Sequence, residues 1–460
     1  MWEDSLQDTI AAISTAPGEG GIGIVRLSGR ESLTIADKIF EGLDKKKPTR
    51  FKSYSMHYGK VVDGKKIIDE VILTVMRGPK SYTRQDVVEI NCHGGLLSLR
   101  RILDLTLQHG CRLASPGEFT QRAFLNGRID LAQAEAVIDI IRAKTESALK
   151  ISLAQLSGGL SGQVNKIRRQ LLDILVILEA NIDFPEEAVA KQNPADLSLG
   201  LAAIDAGLNA LLSSASGGRI LREGLHVVIC GKPNVGKSSL LNALLKKERS
   251  IVTSVGGTTR DTIEELIDIK GIPVRIVDTA GILKPRNLIE AKAVRLARSQ
   301  INLADLVIIL FDSGSKLGRQ DRKLIKEIKN KNAIAVINKI DLKPRIEKNE
   351  ITGVFSRVVE LAARSGKNLN LLEDAIYDFV YQGKLPSPEF TLVSNLRHIH
   401  ALGDARKLVG QARDSLADKL PIEFIAQNLK DACVYLDEIL GKNFSAGLLD
   451  RIFTDFCIGK

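Results

Sequence analysis

Gly231-Lys232-Pro233-Asn234-Val235-Gly236-Lys237-Ser238 has the G-x-x-x-x-G-K-S spacing of a phosphate-binding loop, and its reading decides the fold of the middle of this chain. The apolar run Val227-Val228-Ile229-Cys230 leads into the loop as a strand. Ser239-Leu240-Leu241-Asn242-Ala243-Leu244-Leu245 leads out of it as a helix. The glycines let backbone N–H groups turn inward around phosphate oxygens, Lys237 supplies a point charge and Ser238 offers a hydroxyl to Mg²⁺. The helix adds its positive N-terminal end, so Asn234, Val235, Gly236, Lys237, Ser238 and Ser239 are all expected at a nucleotide.

Further along, Asn338-Lys339-Ile340-Asp341 follows the buried-strand pattern Ala333–Ile337. A carboxylate there accepts hydrogen bonds from N1–H and the exocyclic amine of guanine; adenine offers no such donor pair on that edge, and an unpaired buried acceptor is costly. Between the two motifs lies Asp278-Thr279-Ala280-Gly281 at the end of the strand Val274–Val277. Its Asp suits Mg²⁺ held through water, and its Gly N–H suits the γ-phosphate. Upstream, the loop Thr253-Ser254-Val255-Gly256-Gly257-Thr258-Thr259 offers a Thr hydroxyl to complete the Mg²⁺ shell. The order of these motifs is that of a GTPase. Many GTPases place a water-orienting Gln directly after D-x-x-G. Here that position is Ile282, so another group must position the water, and a monovalent cation held by loop carbonyls and Asn234 is a candidate source of charge. Glu290 is a candidate for the water; a solvated helix residue is the other reading.

With 44% apolar and 26% charged residues in 460, the chain has the composition of a globular protein of about three domains. No run of about 18 apolar residues occurs, so no membrane span is expected. Glu3, Asp4 and Asp8 near the start argue against a secretory or transit signal. Five scattered cysteines without a C-x-x-C pair point to a reducing, cytoplasmic setting rather than zinc or redox chemistry. The net charge of +10 favours an anionic partner such as RNA, with a merely solvated basic surface as the alternative.

Residues 1–118 read as α+β, with strands over 9–14, 22–27, 56–62, 67–76 and 87–92 and a hairpin turn at Asp63-Gly64. Gly18–Gly23 matches G-x-G-x-x-G but precedes a strand, so it is no dinucleotide fingerprint; a flexible loop and a ligand-cradling loop both remain open. Ser115-Pro116-Gly117-Glu118 reads as a capping box with Pro at the first helical position. Helical stripes then run from Leu131 to Ile141 and from Val164 to Leu178, followed by a helix over 196–212 and a flexible linker over 213–218. A parallel α/β module is expected over 219–381, with helices again over 382–460, so that a nucleotide module is inserted into a helical domain covering 119–218 and 382–460.

The sequence resembles the MnmE (TrmE) family of tRNA-modifying GTPases along its whole length. The resemblance rests on Gly21-Ile22-Gly23-Ile24-Val25-Arg26, on Ser115–Gly127, on Asp130-Leu131-Ala132-Gln133-Ala134-Glu135-Ala136 and on the terminal Phe456-Cys457-Ile458-Gly459-Lys460. It implies an N-terminal α+β domain that binds a tetrahydrofolate derivative (5-formyl or 5,10-methylene) and makes a homodimer, an all-α helical domain, and an inserted P-loop α/β GTPase domain. The family's folate contacts fall on Arg26, Glu89, Arg128 and Lys460; cations suit glutamyl carboxylates, and a carboxylate suits a pterin donor edge. Cys457 matches the terminal cysteine associated with the modification step. K⁺ maps to Asn234, Thr253, Val255 and Thr258, Mg²⁺ to Ser238 and Thr259, and the water-orienting acid to Glu290.

The implied activity is modification at C5 of the wobble uridine of certain tRNAs, with the FAD-containing partner MnmG in a heterotetramer and with GTP hydrolysis gating the cycle. Two departures stand out. Leu283 replaces an Arg common after D-x-x-G, and the guanine loop reads Ala362-Ala363-Arg364 without the family's Ser. A ribosome-assembly GTPase that binds rRNA is the competing reading, and the terminal Phe-Cys-Ile-Gly-Lys together with the N-terminal domain discriminates against it.

Overall fold

Alternating apolar residues such as Val71, Leu73 and Val75 bury one face of a seven-stranded sheet, as period-two patterning requires. Its strands are β1 (Ile10–Ile13), β2 (Gly23–Ser28), β3 (Phe40–Gly42), β4 (Ser55–Asp63), β5 (Lys66–Met76), β6 (Val87–Cys92) and β7 (Arg112–Leu113), in the order β3-β4-β5-β6-β2-β1-β7. The helices Ser32–Ile39 and Leu96–Gln108 cover the buried face with Leu33, Ile35, Ile39, Leu99 and Ile102. The computed structural model describes residues 7–183, 193–213, 215–247, 264–278, 298–381 and 393–460. These fall into two compact units, one of Met1–Ile138, Gln155–Asn165 and Val434–Lys460 and the other of Asp139–Ala154 and Lys166–Cys433.

The first unit gathers the two ends of the chain. Gly459 has φ +94, and a Cβ there would lie 2.3 Å from the Ile13 carbonyl oxygen, so only glycine lets the C-terminus close on β1. Ser14 Oγ donates to Gly459 O at 3.0 Å. The expected capping box differs from what forms at Ser115–Glu118. Glu118 does reach back to the Ser115 N–H, at 2.8 Å, but the helix starts at Glu118 and Pro116 stays outside it. Gly117, at φ +67, turns the chain instead, because a Cβ there would meet Phe456 at 2.8 Å. Glu118 is drawn into a buried ionic cluster with Arg112 and Arg122, and both arginines also bind Asp8.

The second unit holds a six-stranded sheet of β8 (Leu225–Cys230), β9 (Glu264–Ile269), β10 (Ile272–Asp278), β11 (Leu306–Asp312), β12 (Ala333–Asn338) and β13 (Val358–Glu360), ordered β13-β12-β11-β8-β10-β9. Both faces are covered, which is why the central strands β8, β11 and β12 are nearly all apolar. Val227 and Ile229 face the helices Lys237–Lys247 and Leu369–Tyr381, while Val228 and Cys230 face the side packed by Ile325 and Ile328. The expected all-parallel sheet is corrected at one edge, where β9 runs antiparallel to β10 through the tight turn at Lys270-Gly271.

The expected flexible linker at 213–218 is also corrected, since Ala215–Glu223 is helical. A Cβ on Gly218 would lie 2.3 Å from the Val393 carbonyl oxygen, so this glycine serves a close backbone approach rather than flexibility. The helices Pro194–Ser213 and Leu396–Ala417 flank the sheet in sequence and pack on each other, with Asp205 paired to Arg406 and Arg413. The helical stretch Pro194–Glu223 is long and apolar enough by composition to cross a membrane. Its Leu197, Leu201, Ile204, Leu208 and Leu211 are buried within the protein.

Candidate functional site

β8, β10, β11 and β12 run parallel, so their C-terminal ends share one edge of the sheet. Strand order reverses at β8, with β10 on one side and β11 on the other, and such a switch point opens a crevice for ligands. The Gly231–Ser238 loop leaves β8 at that crevice. Asn234 at φ +61 and Gly236 at φ +102 give it the left-handed turns that aim successive N–H groups inward. Lys237 is buried, and its Nζ donates to Gly231 O at 2.9 Å and Lys232 O at 3.0 Å. It is thereby held over the loop mouth.

Asn338, at the end of β12, joins three segments. Its Nδ2 donates to Val235 O at 2.8 Å, and its Oδ1 accepts from Ala363 N at 2.9 Å. A neutral carboxamide with one donor and one acceptor face therefore ties the phosphate loop to the 361–364 loop. Lys339, at φ +63, donates to Asn234 O at 2.8 Å and to Asp312 Oδ2 at 2.7 Å. Burial pushes the Asp312 carboxyl upward, but Lys339, Gly314 N–H and Lys232 outweigh it and hold the group below its ordinary value. Asp341 and Arg364 are exposed at the same edge, with Ala362 and Ala363 buried beside them.

The backbone of Asp278 ends β10, and in register it lies opposite Ile229, just before the loop. Ser238 and Ser239 are exposed at the start of the outgoing helix. Ser238 and the Asp278 position thus lie at one edge, which fits a Mg²⁺ held by a hydroxyl and a strand-end carboxylate. Thr253, Ser254, Val255, Gly256, Gly257, Thr258, Thr259, Thr279, Ala280, Gly281 and Glu290 lie outside the described residues.

A second polar cluster lies in the first unit. Arg26 on β2 stands opposite Glu89 on β6 in register, and its Nε donates to Glu89 Oε1 at 2.7 Å. Its Nη1 donates to Gly459 O at 3.2 Å, which places the terminal Lys460 beside it. Burial, then repulsion from Arg26, lowers the Lys460 pKa, and Glu89 offsets part of this. Two guanidiniums meet the Tyr82 ring, with Arg128 Cζ 4.7 Å and Arg26 Cζ 5.8 Å from its centroid. Arg26, Glu89, Arg128 and Lys460 are therefore brought together. Cys457 is exposed two residues from the clamped Gly459. Three cations and one carboxylate gathered around the Tyr82 ring offer partners for both an anion and a hydrogen-bond donor.

The family profile described as "MnmE helical domain" matches residues 131–457, and "GTP-binding protein TrmE N-terminus" matches residues 9–128. The tRNA modification GTPase MnmE of Desulforamulus reducens is 45% identical over 460 residues, covering 99% of this chain and 100% of that protein.

This chain belongs to the MnmE family.

The MnmE protein of Clostridioides difficile is 44% identical over 99% of this chain and 100% of its own length. Among solved structures, the G domain of the T. maritima FeoB iron transporter is 27% identical over 34% of this chain and 98% of that one, with a TM-score of 0.27. Three members of this MnmE chain's two clusters were given no role by the sequence. Tyr82 and Phe119 surround Arg26, and Asp312 anchors Lys339. Asp312 had a signal of a kind, as a lone acid ending an apolar strand beside the crevice. Tyr82 had none, and Phe119 stood inside the Ser115–Gly127 motif without a role, because only the fold brings β2, the residues before β6 and the Glu118–Leu125 helix together.

Proposed function

We propose that this chain is a GTP hydrolase that takes part in tRNA modification, acting at C5 of the wobble uridine together with the flavoprotein MnmG. The observation that carries the nucleotide half is the Asn338 bridge between Val235 and Ala363. It presents the phosphate loop and the guanine-side loop as one preformed surface. GTP lies with its phosphates against Asn234–Ser239 and its base against Asn338, Lys339, Asp341 and Ala362–Arg364. Lys237 exchanges its two carbonyl partners for phosphate oxygens, so its charge is already in place when the nucleotide arrives.

Ser238 and Thr259 are the Mg²⁺ ligands in this reading, with Asp278 reaching the ion through water and Gly281 facing the γ-phosphate. Thr279, Ala280 and residues 253–259 are assigned to the nucleotide by their place in the sequence. Glu290 orients the attacking water, the role Ile282 cannot fill. A K⁺ ion, held by Asn234, Thr253, Val255 and Thr258, supplies positive charge near the transferring phosphoryl group when bound. The left-handed backbone and exposed side chain of Asn234 support that assignment.

In the first unit, Arg26, Arg128 and Lys460 bind the carboxylates of a 5-formyl- or 5,10-methylene-tetrahydrofolate, and Glu89 accepts from the pterin. The folate supplies the one-carbon unit when bound. Glu89 already holds Arg26, so ligand and ion pair share the same carboxylate. Cys457, exposed beside this cluster, is a group for the modification step. The domain limits follow the motifs, at 1–118, 119–218, 219–381 and 382–460. The working assembly is a homodimer joined to MnmG in the cytoplasm.

GTP turnover by the full chain in K⁺ and in Na⁺, with Glu290→Ala alongside, tests the reading. K⁺ should accelerate hydrolysis, and Glu290→Ala should bind GTP normally while losing most turnover. Equal rates in both salts remove the cation, and near wild-type hydrolysis by the variant removes Glu290.

A further inference from the structure

The basic charge of this chain is not spread evenly. Residues 38–66 hold nine Lys or Arg against three Asp or Glu, which is +6 of the whole chain's +10. These residues form the β3 edge of the first unit's sheet, the turn Pro48–Arg50 and the β4–β5 hairpin. Lys45, Arg50, Lys52, Lys65 and Lys66 are exposed and have no carboxylate partner among the described residues, in contrast to Arg26, Arg112 and Arg122, each held in an ion pair. Lys46 reaches only Asp44, at 3.7 Å, and Lys60 only Glu70, at 3.6 Å.

The backbone that carries these cations is also held in place. Asp37 accepts from Thr49 N at 2.9 Å and from Thr49 Oγ1 at 2.8 Å. Arg77 Nε donates to Phe51 O at 3.1 Å, Lys47 Nζ donates to Asp37 O at 2.7 Å, and Pro48 is buried. Lys45 itself sits at φ +56, in a fixed left-handed turn. Between this turn and β4 lies a cavity of about 440 Å³ lined by Leu43, Lys45, Lys46, Lys47, Tyr58 and Lys60. Tyr58 is half exposed, and its hydroxyl is fixed by Glu70 at 2.9 Å. A groove with an exposed ring, lined by Lys45 and by Lys46 and Lys60 that pair only at 3.6–3.7 Å, and flanked by the unpaired Arg50, Lys52, Lys65 and Lys66, matches a phosphate backbone carrying bases, because ion release and stacking then act together.

We propose that this β3-edge patch is where the chain grips the phosphate backbone of tRNA. The proposal rests on the reading of RNA as substrate and adds where it docks. The patch shares no residue with those assigned above to nucleotide or folate, so its loss should spare GTP hydrolysis.

The test is fluorescence anisotropy of a labelled tRNA transcript with the full chain, between about 50 and 200 mM KCl. Lys45→Gln/Lys46→Gln/Arg50→Gln should weaken binding about tenfold or more, and should flatten the slope of log affinity against log salt by about 2. Basal GTP turnover should stay at the wild-type level, which also reports folding. A control of equal charge loss, Lys323→Gln/Lys326→Gln/Lys329→Gln, should change affinity less than about twofold. Unchanged affinity and slope in the patch variant overturn the proposal, as do equal losses in patch and control. So does a patch that governs binding to phosphatidylserine vesicles but not to tRNA. Wild-type chain that fails to bind tRNA at all contradicts the substrate reading itself, a result distinct from either.

Discussion

At the nucleotide edge a neutral carboxamide joins the phosphate loop to the guanine-side loop, with one ion pair, Lys339–Asp312, beside it, whereas in the first unit charges carry most of the joining. Asn338 bridges Val235 and Ala363 with two ordinary hydrogen bonds. Across the first unit, Arg26 ties Glu89 to Gly459, and Glu118 sits between Arg112 and Arg122. A bridge of neutral groups leaves the edge free to accept a highly charged ligand without competing for its charge. A network of ion pairs holds distant pieces of chain together but commits its charges beforehand, and any anionic ligand must share them. The first arrangement suits a site that exchanges nucleotide, the second a site that also holds the two chain ends in one unit.

This contrast can be broken most directly at Gly236. A Cβ there would lie 2.3 Å from Asn338 Nδ2, and φ +102 is strained for any other residue. Gly236→Ala should therefore displace the bridge and reduce GTP affinity by about a thousandfold or more, the loss of several hydrogen bonds at once. Folate binding by the same variant, followed by calorimetry, should not change. Nucleotide binding that survives the substitution would mean the bridge is not what shapes the loop.

A smaller effect is expected in the ionic network. Burial pushes the Glu118 carboxyl up, but Arg112, the Ser115 N–H and Arg122 prevail and hold it below its ordinary value of 4.5. Asp8 is held below its ordinary value in the same way by Arg112 and Arg122. With folded pKa values below the unfolded ones, these carboxylates stabilise fully at pH above their ordinary values of 3.8 and 4.5 and lose that contribution as pH falls below those values through the lowered folded ones. Glu118→Gln leaves Arg122 buried beside a neutral partner and should cost about 3 kcal/mol. Urea titrations from pH 7 to about 3.5 should show the wild-type losing stability toward acid and the variant losing less. Parallel pH curves would place the stabilisation elsewhere.

Legibility in the sequence followed the same divide. The nucleotide edge is made of short contiguous motifs, each next to its own strand, so Gly231–Ser238 and Asn338–Asp341 could be placed at one sheet edge from spacing alone, as could the strand-end position of Asp278. The first-unit cluster unites residues as far apart as Arg26 and Lys460, and spacing alone gave no sign of it; only family resemblance named its four charged members. Tyr82 escaped even that, and Phe119 entered it only as one letter of Ser115–Gly127 with no role. The glycines misled in one place. Gly217-Gly218 looked like a linker, yet the second of them lies in a helix against the Val393 backbone. A composition rule cannot distinguish glycine kept for freedom from glycine kept for closeness.

The central claim is that the edge carrying Lys237 and Asp341 selects guanine nucleotide. Calorimetric titration of Asp341→Asn with GDP and with xanthosine diphosphate tests it most directly, because the amide no longer accepts two hydrogen bonds but can donate to the extra xanthine oxygen. The account predicts that GDP affinity falls about a hundredfold while xanthosine diphosphate, weak on the wild-type chain, becomes the tighter ligand. Unchanged preference for GDP, or equal binding of ADP by the wild-type chain, would contradict it.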